Sequence, residues 1–287
     1  MDLVTAMTLL LLLLAVDDFW YLRIPVTSLA LAGLIYRPLT RQASFWFLTA
    51  AVLVIAHVRN WQLIYNHKYL MTYFVLAIGV SLLSAEPDRT LATNCRLLIG
   101  LCFLFAVFWK FYSPDFLDGS FLDFTLLTDG RFEAVSRFVG GAGSEIFAWN
   151  KNAVAELARF DSRETSVLLH GSAGALALAR FLTVWTVVME SAVATAFLWP
   201  GSGGVARFRD ALLGLFLLTT YPIASVLTFG WVLAAMGFAQ ATSHSARLFY
   251  AAVFVLLPLY DIPFGRVLEQ AFHRLPGGAI LCVGTRQ

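Results

Sequence analysis

Long apolar runs separated by short polar stretches form the main pattern of this chain. A membrane-spanning helix needs about 17 to 20 apolar residues, and flanking aromatic residues extend the shorter runs into the membrane interface. The runs lie at residues 3–16, 24–36, 43–58, 69–84, 97–112, 174–199, 211–238 and 247–263. We predict one transmembrane helix from each of these eight runs, with seven or nine as alternatives.

The first and the seventh run have unusual features. Run 3–16 has no basic residue before it and no small-x-small cleavage site after it, so we interpret it as a retained span and not as a signal peptide. Run 211–238 is long and contains Pro222. We expect this proline to kink one helix without dividing it.

A more polar segment, residues 113–171, interrupts the series of apolar runs. It holds nine of the chain's 18 acidic residues, and so much charge cannot face lipid. The stretches RFEAVSRFV and NAVAELARF place apolar residues at helical spacing, and the GGAG between them is typical of a turn. We therefore predict an all-α polytopic membrane bundle, a single domain over residues 1–287, with an extramembrane or interfacial helical insertion.

The composition agrees with a membrane location. Hydrophobic residues make up 59% of the chain and charged residues 13%, against about 25% charged residues in soluble domains. A net charge of +2 without a basic cluster excludes nucleic acid as a partner and leaves the lipid bilayer. Lysines and arginines divide evenly between the two sides of an eight-span bundle, so charge does not predict its orientation.

The spacing of cysteines and histidines predicts no metal site. Cys95 and Cys102 share a helix face without nearby ligand partners, which is typical of small packing residues. The histidines are scattered along the chain, and nucleotide-binding and hydrolase motifs are absent from the sequence.

A candidate site comes from the hairpin of the fourth and fifth runs. Asn66 and His67 precede run 69–84, and Lys110 lies near the end of run 97–112. His67 and Lys110 each lie 17 residues from the turn, so both lie about 25 Å from the hairpin tip. The spacing predicts that an amine and an imidazole meet at one level. The alternative is a pair at the helix start that caps the helix and meets lipid head groups.

Lys110 is an uncommon choice in this chain. Of the 20 basic residues, 17 are arginine. Lysine can lose its proton in an apolar environment whereas arginine cannot, which favours a general base at this position. The alternative is an interfacial lysine whose amine extends to the head groups.

Glu190 places a carboxylate within run 174–199. Acidic side chains inside a membrane face the bundle interior and are paired or functional. Arg180 lies ten residues earlier, too far along the helix for direct pairing, so the candidate partners are Arg96 and Lys110. Glu190 is interpreted either as half of a structural ion pair or as a site residue.

Two motifs resemble the horizontally transferred transmembrane (HTTM) family, which includes the membrane region of vitamin K-dependent gamma-carboxylases. These are NHKYL at 66–70 and FWKFYSPDFLDG at 108–119. The stretches VVMESAV and TFGWVLAAM are also similar to that pattern. Two departures are a linker from Lys110 to Asp115 that is one residue longer, and the absence of a histidine at 217–221.

The resemblance implies an enzyme that uses a reduced quinone, either vitamin K hydroquinone or menaquinol. It implies that Lys110 is the catalytic base, that Asn66 and His67 hold the quinone oxygens, and that Glu190 contributes to the cofactor site. Oxygen attack on the quinol anion would then give an epoxide and a base strong enough to permit carboxylation of a peptide or protein substrate.

Two other functions stay open at this point. The chain is alternatively a non-catalytic membrane protein that binds a lipid or a peptide partner, for example in peptide-toxin maturation or export. A small transporter is the third alternative, indicated only by Arg180, Glu190 and Pro222.

Overall fold

A computed structural model describes residues 1–15, 20–62, 64–141, 143–157, 167–201, 203–223 and 226–261. These residues form helices joined by turns, without a strand among them, which confirms the all-α prediction for this part of the chain. The α-helices are α1 (Asp2–Leu14), α2 (Trp20–Ile35), α3 (Ala43–Arg59), α4 (Asn66–Ser81), α5 (Pro87–Tyr112), α6 (Pro114–Leu117), α7 (Ser120–Thr128), α8 (Glu133–Phe138), α9 (Ser144–Leu157), α10 (Ala173–Leu198), α11 (Arg209–Thr220), α12 (Leu227–Gln240) and α13 (His244–Leu256).

Two of these helices are long and apolar enough to cross a membrane, α5 and α10, each of 26 residues. Helices α1, α2, α3, α12 and α13 are apolar but shorter. Only 28% of the apolar window of α5 and 44% of that of α10 are buried. The rest of each window is half-buried or exposed, and exposed apolar side chains on these helices include Leu104, Phe105, Phe181 and Val184.

The prediction of one kinked helix over residues 211–238 is wrong. The chain forms two helices there, α11 and α12, with a turn at residues 221–223. Pro222 has no N–H to continue the helical hydrogen bonds, and the next bond, from Ile223 N–H to the Thr220 carbonyl, spans only three residues. The Gln240 amide donates to Asp210 at 2.6 Å, so the end of α12 lies beside the start of α11 and the two helices are antiparallel.

Helix α12 lies at the centre of the bundle. It packs against α1, α4, α5 and α13, and residues 230–237 are all buried. A helix that is apolar around its whole circumference is expected in such a position. The aromatic ring of Tyr250 on α13 packs directly over Gly237, where a Cβ atom would lie 2.6 Å from the ring.

The polar segment contains short helices, as predicted. Helices α6 to α9 lie within it, while residues 158–166 lie outside the described part of the chain. Phe116, Leu122 and Phe132 pack on Ala179 and Leu182 of α10. The segment is therefore anchored to the first half of the helix that follows it.

An ion pair holds the turn before α8. The Arg131 guanidinium donates to the Asp129 carboxylate, with Nε and Oδ2 3.0 Å apart. These hydrogen bonds hold the pKa of Asp129 below its usual range and raise that of Arg131.

Two glycines allow the segment to contact α10 closely. A Cβ atom on Gly174 would lie 2.6 Å from the Gly140 carbonyl oxygen, and the Ser172 hydroxyl donates to the same carbonyl. We expect Gly174→Ala to lower the free energy of unfolding by about 1 to 2 kcal/mol, because backbone must move to admit the methyl group. The measurement is denaturant-induced unfolding in detergent.

Gly143→Ala is the matched control for Gly174→Ala. A Cβ atom on Gly143 would meet no atom within 4 Å. Its free energy of unfolding should stay within about 0.5 kcal/mol of the wild-type value. Equal losses in the two variants would contradict the close contact at Gly174.

Candidate functional site

The α4–α5 hairpin brings the two halves of the predicted site to one level. Asn66 and His67 on the first turn of α4 line the same cavity as Trp109 near the end of α5. Trp109 precedes Lys110 directly, so the depth relation inferred from the spacing holds. Asn66 and His67 are the first two residues of α4 and follow its N-cap Tyr65, whose side chain makes no cap hydrogen bond; contact of the pair with lipid head groups stays an alternative.

The cavity, which we call the α4–α5 cavity, has a volume of about 720 Å³. Its walls are largely aromatic and aliphatic, Asn66 and His67 are polar residues at the start of α4, and Tyr69 and Tyr73 follow along the same helix. The ring of Tyr65 stacks on His67, with centroids 5.6 Å apart and planes 7° from parallel. The space therefore has an apolar body and a hydrogen-bonding end.

The α4–α5 cavity is open to the outer surface of the bundle. Three of its aromatic side chains, Tyr73, Phe105 and Trp109, are each more than half exposed. If α5 crosses a membrane, this opening faces the lipid. An amphipathic molecule dissolved in the bilayer would then reach the cavity without crossing water.

Lys110 does not line this cavity. Its Nζ atom lies 2.6 Å from Glu190 Oε2, and the Lys110 and Glu190 side chains are only 17% and 9% exposed. The Phe116 ring covers the amine, with its centroid 5.1 Å from Nζ. The structure thus joins Lys110 to α10 and not to His67, and the shared chamber for the amine and the imidazole is not observed.

The ion pair identifies the partner of Glu190. Lys110 was one of two predicted partners for Glu190, and this pairing is confirmed. Arg180 instead lies against Gly119 of the polar segment, and Arg96 lines a different pocket near the start of α5. The interfacial alternative for Lys110 does not fit a buried amine paired with a carboxylate.

Cys102 connects the ion pair with the cavity. It lines the cavity wall and lies close enough to Lys110 and Glu190 to interact with their charges. Neither Lys110 nor Glu190 lines the cavity itself. From the sequence we interpreted Cys102 only as a small packing residue, and no motif indicated that it lines a cavity.

Tyr221 is a further buried polar group near Cys102. It is 2% exposed, and its hydroxyl has no hydrogen-bond partner among the described residues. It lies in the turn that ends α11, at the end of the stretch 217–221 in which the HTTM resemblance leads to the expectation of a histidine. The only signal for it in the sequence was that departure.

A second polar cluster lies on another face of α4. The Lys68 amine donates to the Ala15 carbonyl, and His57 Nε2 lies 2.7 Å from the Thr72 hydroxyl. The third residue of the NHKYL motif thus ties α4 to the end of α1. No group of three or more potential metal ligands occurs within the described ranges, while His273 and Cys282 lie outside them.

Comparisons with protein-family models, curated proteins and solved structures find no match to this chain. The HTTM resemblance and the site roles that it implies therefore stay predictions.

Proposed function

We propose that this chain is a multi-pass integral membrane protein, in the cell membrane if the source is prokaryotic. The length of α5 and α10 and the outward apolar faces of these helices support this proposal. Exposed aliphatic side chains on other helices add to it, among them Ile24, Ile35, Ile55, Val58 and Val255. The polar segment at 113–171 then lies outside the membrane or at its interface.

We infer that the α4–α5 cavity binds a reduced quinone. The observation that carries this inference is a cavity of about 720 Å³ with aromatic walls and a polar end at Asn66 and His67. A quinol has a flat apolar ring, oxygens at its ends and an apolar tail, so its chemical pattern matches that of the cavity. The HTTM resemblance supports vitamin K hydroquinone or menaquinol as the ligand.

The proposed reaction begins with loss of a quinol proton and uses molecular oxygen to form the quinone epoxide. Asn66 and His67 would donate hydrogen bonds to the developing oxyanion. Lys110 would be the base, but a lysine that neutralises a carboxylate cannot accept a proton. This role therefore requires Lys110 first to transfer its proton, with the Glu190 carboxylate 2.6 Å away as the acceptor, so that the free amine can take the proton of the quinol.

Ligand binding tests the cavity without requiring turnover. We expect Ala106→Trp, which fills the cavity from α5, to abolish saturable binding of menaquinol measured by anaerobic titration in detergent. His67→Ala removes a hydrogen bond and should weaken binding about tenfold. Ala106 and His67 both line the cavity, so the two variants probe its body and its polar end separately.

Ala51→Trp is the matched control for Ala106→Trp. Ala51 is exposed on α3 and does not line the cavity. This variant should bind menaquinol as the wild type does. Menaquinol binding that survives Ala106→Trp would contradict the proposed location.

A second function, a non-catalytic binder of lipid or peptide, is supported by one specific observation. Lys110 is paired with Glu190 and does not line the cavity. In this case the pair is a structural tie between α5 and α10. The protein would then bind an amphipathic ligand without converting it.

A further inference from the structure

A separate pocket lies near the other end of α5, and we call it the arginine pocket. Arg89, Thr93 and Arg96 on the first turns of α5 form one side. The opposite side comes from residues 206–210 at the start of α11 and from the end of α12. Its volume is about 300 Å³, and it shares no lining residue with the α4–α5 cavity, so it is distinct from the quinone site.

The charge of the arginine pocket is not balanced by its own residues. Four arginines line it, Arg89, Arg96, Arg207 and Arg209, against a single aspartate, Asp210. One Asp210 oxygen already accepts hydrogen bonds from Gln240 at 2.6 Å and Tyr250 at 3.0 Å. The positive charge therefore exceeds what this carboxylate neutralises.

Arg209 has a structural role that fixes one wall. Its guanidinium donates to the carbonyls of Ala196, Trp199 and Gly201 at 2.7 to 2.8 Å, and so holds the loop after α10. All three acceptors are neutral. Arg209 thus keeps its charge beside Arg96, close enough for the two to repel each other.

Arg96 is the residue that points to a ligand. Its Nε atom is buried and has no hydrogen-bond partner within the described part of the chain. A buried N–H without an acceptor costs about 1 to 3 kcal/mol, and more when it is charged. The buried Nε does not open onto the pocket, but Arg96 lines the pocket with its other atoms, and an anion bound there would offset the positive charges of Arg96 and Arg209.

Arg207 and Arg89 line the same pocket, so their side chains can contact an anion that binds there. The Arg207 guanidinium rests on the Phe208 ring, 4.6 Å from its centroid. Arg89 is 82% exposed and pairs with Glu86 outside the pocket. Both side chains are less constrained than Arg209.

We propose that the arginine pocket binds a phosphate group. The planar guanidinium matches the oxygens of a phosphate in a two-point contact, and several arginines around one cavity suit its negative charge. Two sources offer this chemistry at the end of a membrane helix. One is the head group of an anionic phospholipid and the other is a soluble phosphate.

Two binding measurements distinguish these sources. In detergent, inorganic phosphate is titrated calorimetrically at constant ionic strength. In nanodiscs, retention of phosphatidylglycerol against phosphatidylcholine is measured by native mass spectrometry. Binding in the first assay identifies a soluble phosphate site, selective retention in the second identifies a head-group site, and either result supports the proposal if it depends on Arg96.

We expect Arg96→Gln to weaken that binding about tenfold, and Arg207→Gln to weaken it less. Arg207 is exposed at the rim and makes no ion pair with a described residue, so its variant tests the pocket even if Arg96→Gln does not fold. Arg41→Gln is the control, because Arg41 is 75% exposed, lies near Asp2 and does not line the pocket.

The proposal is overturned if neither phosphate nor phosphatidylglycerol binds selectively. It is also overturned if Arg41→Gln weakens binding as much as the two pocket variants. Neither result bears on menaquinol binding at the α4–α5 cavity, because the two sites share no lining residue.

Discussion

Glu190→Ala is expected to lower the free energy of unfolding by about 3 kcal/mol. The substitution leaves the Lys110 ammonium in a mostly buried position without the carboxylate that lies 2.6 Å from it. Breaking a buried ion pair by removing one partner typically costs about 3 to 5 kcal/mol, because the remaining charge is uncompensated. We take the lower end, since the Lys110 side chain retains 17% exposure. The measurement is denaturant unfolding of the detergent-solubilised protein.

Two further variants show whether the loss of stability comes from the broken ion pair or from the removal of any carboxylate. Glu156→Ala removes an exposed acid on α9 and should change the free energy of unfolding by less than about 0.5 kcal/mol. The double variant Lys110→Met/Glu190→Leu should recover most of the loss, because an apolar pair leaves no buried charge. Losses at Lys110 and Glu190 that simply add in the double variant would contradict direct pairing.

Lys110→Ala is expected to abolish turnover, if the protein converts reduced quinones. The wild type should form an epoxide from vitamin K hydroquinone or menaquinol in the presence of oxygen, measured by chromatography of the extracted quinones. Removing a general base typically costs about 10² to 10⁴ in rate, which would place the variant at the uncatalysed background.

The control for Lys110→Ala is Lys151→Ala, which removes an exposed lysine on α9. It should retain wild-type turnover. Because Lys110→Ala also breaks the pair with Glu190, menaquinol binding by the variant must be shown in parallel. A wild type that binds menaquinol but yields no oxygen-dependent product would reject the enzymatic proposal and favour the non-catalytic binder.

The helices could be predicted from the apolar runs, but their number could not. Each run predicts a helix because its backbone must satisfy its own hydrogen bonds wherever water is excluded. Run 211–238 has the same apolar character on both sides of Pro222, so periodicity does not show whether the chain bends or reverses. The reversal depends on packing, in which α12 occupies the centre of the bundle and contacts four other helices.

The spacing predicted correctly that the start of α4 and the end of α5 lie at one level, but it did not predict the direction of the Lys110 side chain. The rise of about 1.5 Å per residue places the start of α4 level with the end of α5, as the shared cavity shows. Each residue also turns the helix by about 100°, so Trp109 and Lys110 point to different neighbours. Trp109 faces the cavity, whereas Lys110 faces Glu190 on α10, 80 residues later in the chain. No local spacing fixes that direction.

The arginine pocket could not be found from the sequence for a related reason. Its residues come from three stretches, near 89–96, 206–210 and 240–242. None of these stretches is a basic cluster by itself. The stretches at 206–210 and 240–242 lie together only because α11 and α12 are antiparallel. That arrangement depends on the change of chain direction at Pro222.

The continuity of α5 has a mechanical consequence. One unbroken helix of 26 residues carries Arg96 near its start, Cys102 at the cavity wall and Lys110 near its end. A rotation of such a helix about its axis, applied at one end, turns the other end through the same angle. If α5 crosses a membrane, its two ends lie near opposite surfaces, and a ligand that turned the helix at one end would also turn the Lys110 amine near the other.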